Sequence, residues 1–131
     1  LDMACGWVKQ RDSQRGLLAD KQAIQWMIAD SETELRAARM LVYEAASLSD
    51  RGGNAKVLAS SCKLFGTETA FRVVDRAIQM FGGMGVAREM PLERWLRELR
   101  IKRIGEGPSE VHRMVIARDK LKNTEGGVYF G

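Results

Sequence analysis

Two long stretches, residues 20–49 and 54–81, repeat their apolar side chains at three- and four-residue steps, and no segment of the chain alternates with a period of two. Such spacing puts apolar residues on one stripe of a helix, so a chain built this way folds by packing helices together. In the first stretch the stripe is Ile24, Met27, Ile28, Leu35, Ala38, Leu41, Val42 and Ala45, with Glu32, Glu34, Arg36 and Arg39 largely on the other faces. Asp20 suits the N-cap, and Asp50-Arg51-Gly52-Gly53 stops the helix, because glycine takes the left-handed conformation common at helix ends. Asn54 can cap the second stretch, whose stripe is Val57, Leu58, Leu64, Phe65, Phe71, Val74, Ile78 and Phe81. Its small residues Ala59, Ser60, Ser61 and Ala70 admit a close neighbour.

Two shorter helices follow. Pro91 suits the first position of one ending near Ile104, with Leu92, Trp95, Leu96 and Leu99 on one face. Gly107 and Pro108 open the last, which carries Val111, Met114, Val115, Ala117 and Leu121 as far as Lys122. Residues 1–10, with Met3, Trp7 and Val8, read as the final turns of a helix begun upstream, so the chain is expected to be a fragment. Residues 11–16 read as a loop. The predicted fold is all-α, an antiparallel four-helix bundle of two long and several short helices over residues 1–122, with 123–131 as a mobile tail.

Several function classes drop out. Cys5 and Cys62 are far apart and His112 is the only histidine, which argues against a zinc site and a disulfide scaffold, and no metal ligand is assigned. No apolar run nears the length that spans a bilayer and no leader pattern opens the chain, so a soluble, intracellular protein is expected. Charge is uneven: residues 1–87 carry 11 basic and 10 acidic side chains, whereas 88–122 carry 10 basic and 6 acidic. That excess suits an anionic ligand or partner. Nucleic acid is a poor fit, because the first turns of the last helix hold Pro108, Ser109 and Glu110 rather than base-reading groups.

Three places can carry chemistry. Glu106 lies between Gly105 and Gly107 just before a helix, where a carboxylate can act as a general base or sit as a solvated turn residue. Gln79 with Gly82-Gly83-Met84-Gly85 is a glycine-rich helix exit; a dinucleotide fold would need a strand before it. Arg11 and Ser13 can grip a phosphate through a guanidinium and a hydroxyl. The three tryptophans, Trp7, Trp26 and Trp95, read as core or interface anchors, and His112 as a surface residue.

Taken in order, these segments resemble the C-terminal helical domain of the acyl-CoA dehydrogenases over nearly the whole chain. Arg11-x-Ser13 is similar to the family's Arg-x-Thr/Ser loop, and Gln79 to Gly85 to its Gln-x-x-Gly-Gly-x-Gly segment. Pro91-Leu92-Glu93-Arg94 with Arg97 resembles its Pro-x-Glu followed by arginine. Glu106-Gly107-Pro108-Ser109-Glu110-Val111-His112-Arg113 resembles its Glu-Gly-Thr-Ser-Glu/Gln-Ile-Gln-Arg, and Ile116-Ala117-Arg118 follows.

The resemblance implies an FAD enzyme that converts an acyl-CoA to the trans-2-enoyl-CoA, with Glu106 removing the α-proton as the β-hydrogen leaves as hydride to the flavin. It implies that Arg11, Ser13, Gln79 and Gly83 reach the FAD of a neighbouring subunit and that Glu110 lies beside the subunit's own FAD. Homodimers or homotetramers, and no activity for this chain alone, follow from the same likeness. The other expectation is a free-standing helical module that self-associates without catalysis. Three residues depart from the family pattern: Gln14 stands for an aromatic, Arg15 for a glycine, and Pro108 for a threonine whose hydroxyl contacts FAD.

Overall fold

The computed structural model describes residues 1–124, so the expected tail, from residue 125 on, lies outside the described residues. Helix α1 (Asp2–Val8) leads into a small antiparallel hairpin, β1 (Asp12–Ser13) and β2 (Gly16–Leu17), and a 3-10 turn at Leu18–Asp20. Then come α2 (Gln22–Asp50), α3 (Lys56–Phe81), the short α4 (Gly83–Val86), α5 (Leu92–Lys102) and α6 (Ser109–Lys122). The domain is all-α and antiparallel, as the periodicity predicts.

Helix α3 is the spine, and α1, α2, α4, α5 and α6 all pack on it. Contacts give the directions. Cys62 meets the Leu41 carbonyl, Arg72 meets Glu34 and Arg76 meets Ser31, so α2 and α3 run opposite ways. Leu92 joins Met80 and Phe81 in the core, while Arg103 lies over the Phe71 ring at 5.0 Å, so α5 runs back along the C-terminal half of α3. Helix α6 continues that return stroke, from Ser109 beside Glu68 to Val115 and Lys122 beside Val57. The turn between α5 and α6 therefore falls against the middle of the spine.

The core gathers at the C-terminal end of α3 from Ala4, Val8, Ala77, Met80, Phe81 and Leu92, with half-buried Ile24, Met27, Ile28 and Trp95 packed around it. Trp7 stacks on Phe81 with ring centroids 4.9 Å apart and planes 18° from parallel. Burying a side chain such as Met80 or Phe81 contributes about 1.5–3 kcal/mol each, and fixes the α1 stub to the spine.

Between α2 and α3 the joint is ionic. Glu34 accepts from Arg72 Nε at 3.1 Å and from Arg76 Nη1 and Nη2 at 3.2 and 3.1 Å. The Arg76 bonds hold the Glu34 carboxyl below its ordinary value of 4.5, against the opposing pull of burial and with help from Arg72. A carboxyl lowered in the folded state contributes stability that is complete above its unfolded value and lost as pH falls through the folded one. We expect the melting temperature to fall as pH drops below about 4.5, and Glu34→Gln to flatten that slope while costing about 2 kcal/mol at neutral pH. Thermal melts of both proteins across that range measure it.

Some local expectations differ. Asp20 ends the 3-10 turn and α2 starts at Gln22 without a side-chain cap. Asn54 Oδ1 accepts from Lys56 N at 3.1 Å, but Asn54 stands one residue before the N-cap, which is Ala55. The hairpin at 12–17 escaped because two-residue strands are too short to show a period. On α6, Val111, Met114 and Leu121 are exposed, and the face toward α3 is Ser109, His112, Val115, Ile116 and Asp119. Three of those five, Ser109, His112 and Asp119, are polar and hide the stripe from a hydropathy reading. Trp26 is also exposed, at 61%, so it is no core anchor.

Candidate functional site

The turn 103–109 is built around one strained residue. Ile101 O accepts from Ile104 N and Gly105 N at 2.9 and 2.8 Å, which ends α5, and Ser109 N returns to Arg103 O at 3.1 Å, which closes the loop. Between them Glu106 has φ 57 and is the only non-glycine residue with positive φ among the described residues. An L side chain held there costs about 1–3 kcal/mol and clusters at functional sites. Gly107 follows at φ 92, where glycine is at home. Glu106 is exposed, and Gly107 and Pro108 separate it from the first helical residue, so its left-handed backbone rather than the end of α6 sets its direction.

Residues of α3 hold this turn. Lys63 Nζ donates to Gly107 O at 2.6 Å. Glu68 Oε1 accepts from Ser109 Oγ at 2.8 Å, and Glu68 Oε2 pairs with Arg103 Nη2 at 2.8 Å. Burial pushes the Glu68 carboxyl up, but Ser109 and Arg103 together bring it below its ordinary value. His112 lies beneath Gly107: a Cβ on Gly107 would stand 3.1 Å from His112 Nε2, and both ring nitrogens are buried without a partner among the described residues. His112 is thus half-buried under the turn, not a surface residue. Sequence reasoning missed Lys63, Glu68 and Arg103, whose only local signal is charge beside an apolar stripe.

The other candidates collect elsewhere. Arg11 lies over the Trp7 ring at 5.9 Å, and Trp7 stacks on Phe81, so the hairpin sits at the C-terminal end of α3 near Gln79 and Gly83. Arg11, Ser13, Gln14 and Leu18 line an open hollow of about 450 Å³, shared with Asp12. Arg11 is exposed and in no ion pair among the described residues, whereas Ser13 Oγ already donates to Gly16 O at 2.6 Å and offers a ligand only its lone pairs. Gln79 is exposed.

The glycines after α3 divide by cause. Gly82 has φ 62, which the exit from α3 requires. At Gly85 a Cβ would stand 2.6 Å from the Ile78 carbonyl oxygen and 2.8 Å from its Cα, so the packing of α4 on α3 requires glycine. At Gly83 a Cβ meets nothing within 4 Å and φ is not left-handed, so folding places no demand there. The open space at Gly83 would let a ligand approach the backbone.

Glu106 and Glu110 therefore do not meet Arg11, Gln79 and Gly83 within the chain. Gly107 is tied to Lys63 and Ser109 to Glu68, 16 and 11 residues before Gln79, which on a straight helix is about 16–24 Å away. No group of three or more His, Cys, Asp or Glu suited to a metal occurs among the described residues, and none of their helices is long and apolar enough to cross a membrane.

The pattern of the family described as "Acyl-CoA dehydrogenase, C-terminal domain" matches residues 1–121. The cyclohexane-1-carbonyl-CoA dehydrogenase of Geobacter metallireducens is 45% identical over 105 residues, 80% of this chain and 28% of that protein. The NADH-dependent acryloyl-CoA reductase of Anaerotignum propionicum is 41% identical over 122 residues, 93% of this chain and 31% of that protein. The structure of butyryl-CoA dehydrogenase from Megasphaera elsdenii superposes with a TM-score of 0.86 at 36% identity, covering 90% of this chain and 31% of that one. The chain thus spans less than a third of the length of these proteins.

Proposed function

The chain belongs to the acyl-CoA dehydrogenase family, as its C-terminal domain, and on that premise we propose that it forms part of an FAD-dependent enzyme that desaturates an acyl-CoA to the trans-2-enoyl-CoA. The observation that carries this reading is Glu106: an exposed carboxylate held in a left-handed turn that the surrounding contacts over-determine.

Glu106 acts as the general base that takes the α-proton of the thioester. That proton is only weakly acidic, so its removal needs the thioester carbonyl polarised by fixed donors. FAD, when bound, supplies the acceptor for the hydride that leaves the β-carbon. The residues present suit that cofactor: Gly83 leaves room beside the backbone, and Arg11 is an exposed cation, in no ion pair among the described residues, that lines the hairpin hollow. Arg11, Gln79 and Gly83, with Ser13 through its lone pairs, would hold one FAD, and Glu110 would lie beside another. The separation of about 16–24 Å along α3 supports assigning these two sets to different cofactor molecules, as a homodimer or homotetramer would provide. Exposed Trp26, Met40 and Tyr43 on α2 supply apolar surface for such an assembly.

The full-length protein is expected to purify yellow, with flavin absorbance that bleaches on mixing with a saturated acyl-CoA. A colourless protein that still self-associates would favour the non-catalytic helical module instead.

A further inference from the structure

We propose that Lys63 and Glu68, both on α3, are positioning residues that aim the Glu106 carboxylate by holding its turn in the left-handed conformation. The inference rests on the reading of Glu106 as the base, and deepens it.

A left-handed glutamate persists only where its surroundings over-determine it. Here the over-determination comes from three sides, two of them residues of the spine and the third a residue of α6. Lys63 Nζ fixes the peptide directly after Glu106, donating to Gly107 O at 2.6 Å, and the rigid Pro108 follows. Glu68 spans the neck of the loop, with one oxygen on Ser109 Oγ after the turn and the other on Arg103 Nη2 before it, each at 2.8 Å. His112 occupies the space beneath, against Gly107, so the turn cannot sink onto α6. The neck is closed by backbone as well, through Ser109 N to Arg103 O. Neither Lys63 nor Glu68 is needed to form α3, whose stripe is apolar. Both point away from the hydrophobic core around Met80, toward the break between α5 and α6.

Such residues act on the chemical step. Without them the carboxylate is present but is aimed for a smaller fraction of the time, so kcat falls while substrate binding is little changed. In the full-length, flavin-loaded protein, with activity counted per bound flavin, Lys63→Met and Glu68→Gln should each lower kcat about 10- to 100-fold and leave KM within about threefold. Lys63→Arg, which keeps a donor, should recover most of the loss. Ser109→Ala removes one partner of Glu68 without touching Lys63, and should move kcat in the same direction. In a Glu106→Gln background neither Lys63→Met nor Glu68→Gln should lower the residual rate further, because there is no base left to aim. A merely structural role would lower it in both backgrounds.

If Glu106→Gln is inactive while Lys63→Met and Glu68→Gln keep kcat within about twofold of the parent, the positioning role is wrong and the base assignment stands. If these variants lose folded or flavin-bound protein but keep full activity per flavin, their contacts are structural and the proposal is overturned. Full turnover by Glu106→Gln would remove the base assignment itself, and the positioning role with it.

Discussion

Glu106→Gln is expected to lower the kcat of the flavin-loaded enzyme about 10³- to 10⁴-fold, with flavin content unchanged and KM within a few-fold. Glutamine matches the size of the carboxylate and can occupy the same turn, so the loss reports the missing base rather than a collapsed loop. Glu106→Asp keeps the base but withdraws it by one methylene, and should cost about 10²-fold, the order expected when a reacting group is misplaced by an ångström. Stability should move the other way. Glutamate at φ 57 carries strain, and Glu106→Gly removes it, so a protein of equal or slightly higher stability with no turnover is expected. Stopped-flow bleaching of the flavin beside thermal melts separates the two effects. A Glu106→Gln enzyme that bleaches at the parent rate would exclude this residue as the base.

Gly85→Ala should cost about 3 kcal/mol, at the upper end for overpacking, because the new methyl would meet backbone atoms of Ile78 at 2.6 and 2.8 Å. Backbone cannot rotate aside as a side chain can, so α4 must lift off α3. Two residues earlier the same substitution should behave in the opposite way. At Gly83 a Cβ meets nothing within 4 Å, and an alanine there should leave stability unchanged or raise it by about 0.5–1 kcal/mol. Its cost should fall on flavin affinity, at least about tenfold, where the methyl would stand in the cofactor's path. Denaturation midpoints and flavin retention, measured on both variants, give four numbers with a fixed pattern. Unchanged flavin affinity in Gly83→Ala would remove Gly83 from the cofactor site.

Much of the architecture was legible because helices report themselves locally. The residue spacing of α2 and α3 and the Gly52-Gly53 break placed both long helices to within a residue or two at most ends. The hairpin at 12–17 was not legible, since it depends on one Gly16 at φ 90 and two-residue strands. Nor was α4, four residues within a glycine cluster. The inward face of α6 was misread because Ser109 and His112 mark it, and Val111, Met114 and Leu121 do not.

For the site, the sequence by itself singled out Glu106 as a carboxylate between glycines, and the order of motifs around it carried the family. Those are properties of neighbouring residues, and the chain writes them in a line. The strain at Glu106, the hold of Lys63 and Glu68 on its turn, and the distance between the middle of α3, where that turn rests, and the end bearing Gln79 and Gly83 came only with the tertiary structure. The bonds from Lys63 to Gly107 and from Ser109 to Glu68 join residues 44 and 41 positions apart. Whether such groups meet depends on how α5 and α6 lie back along α3, and that packing is a property of the whole fold rather than of either segment.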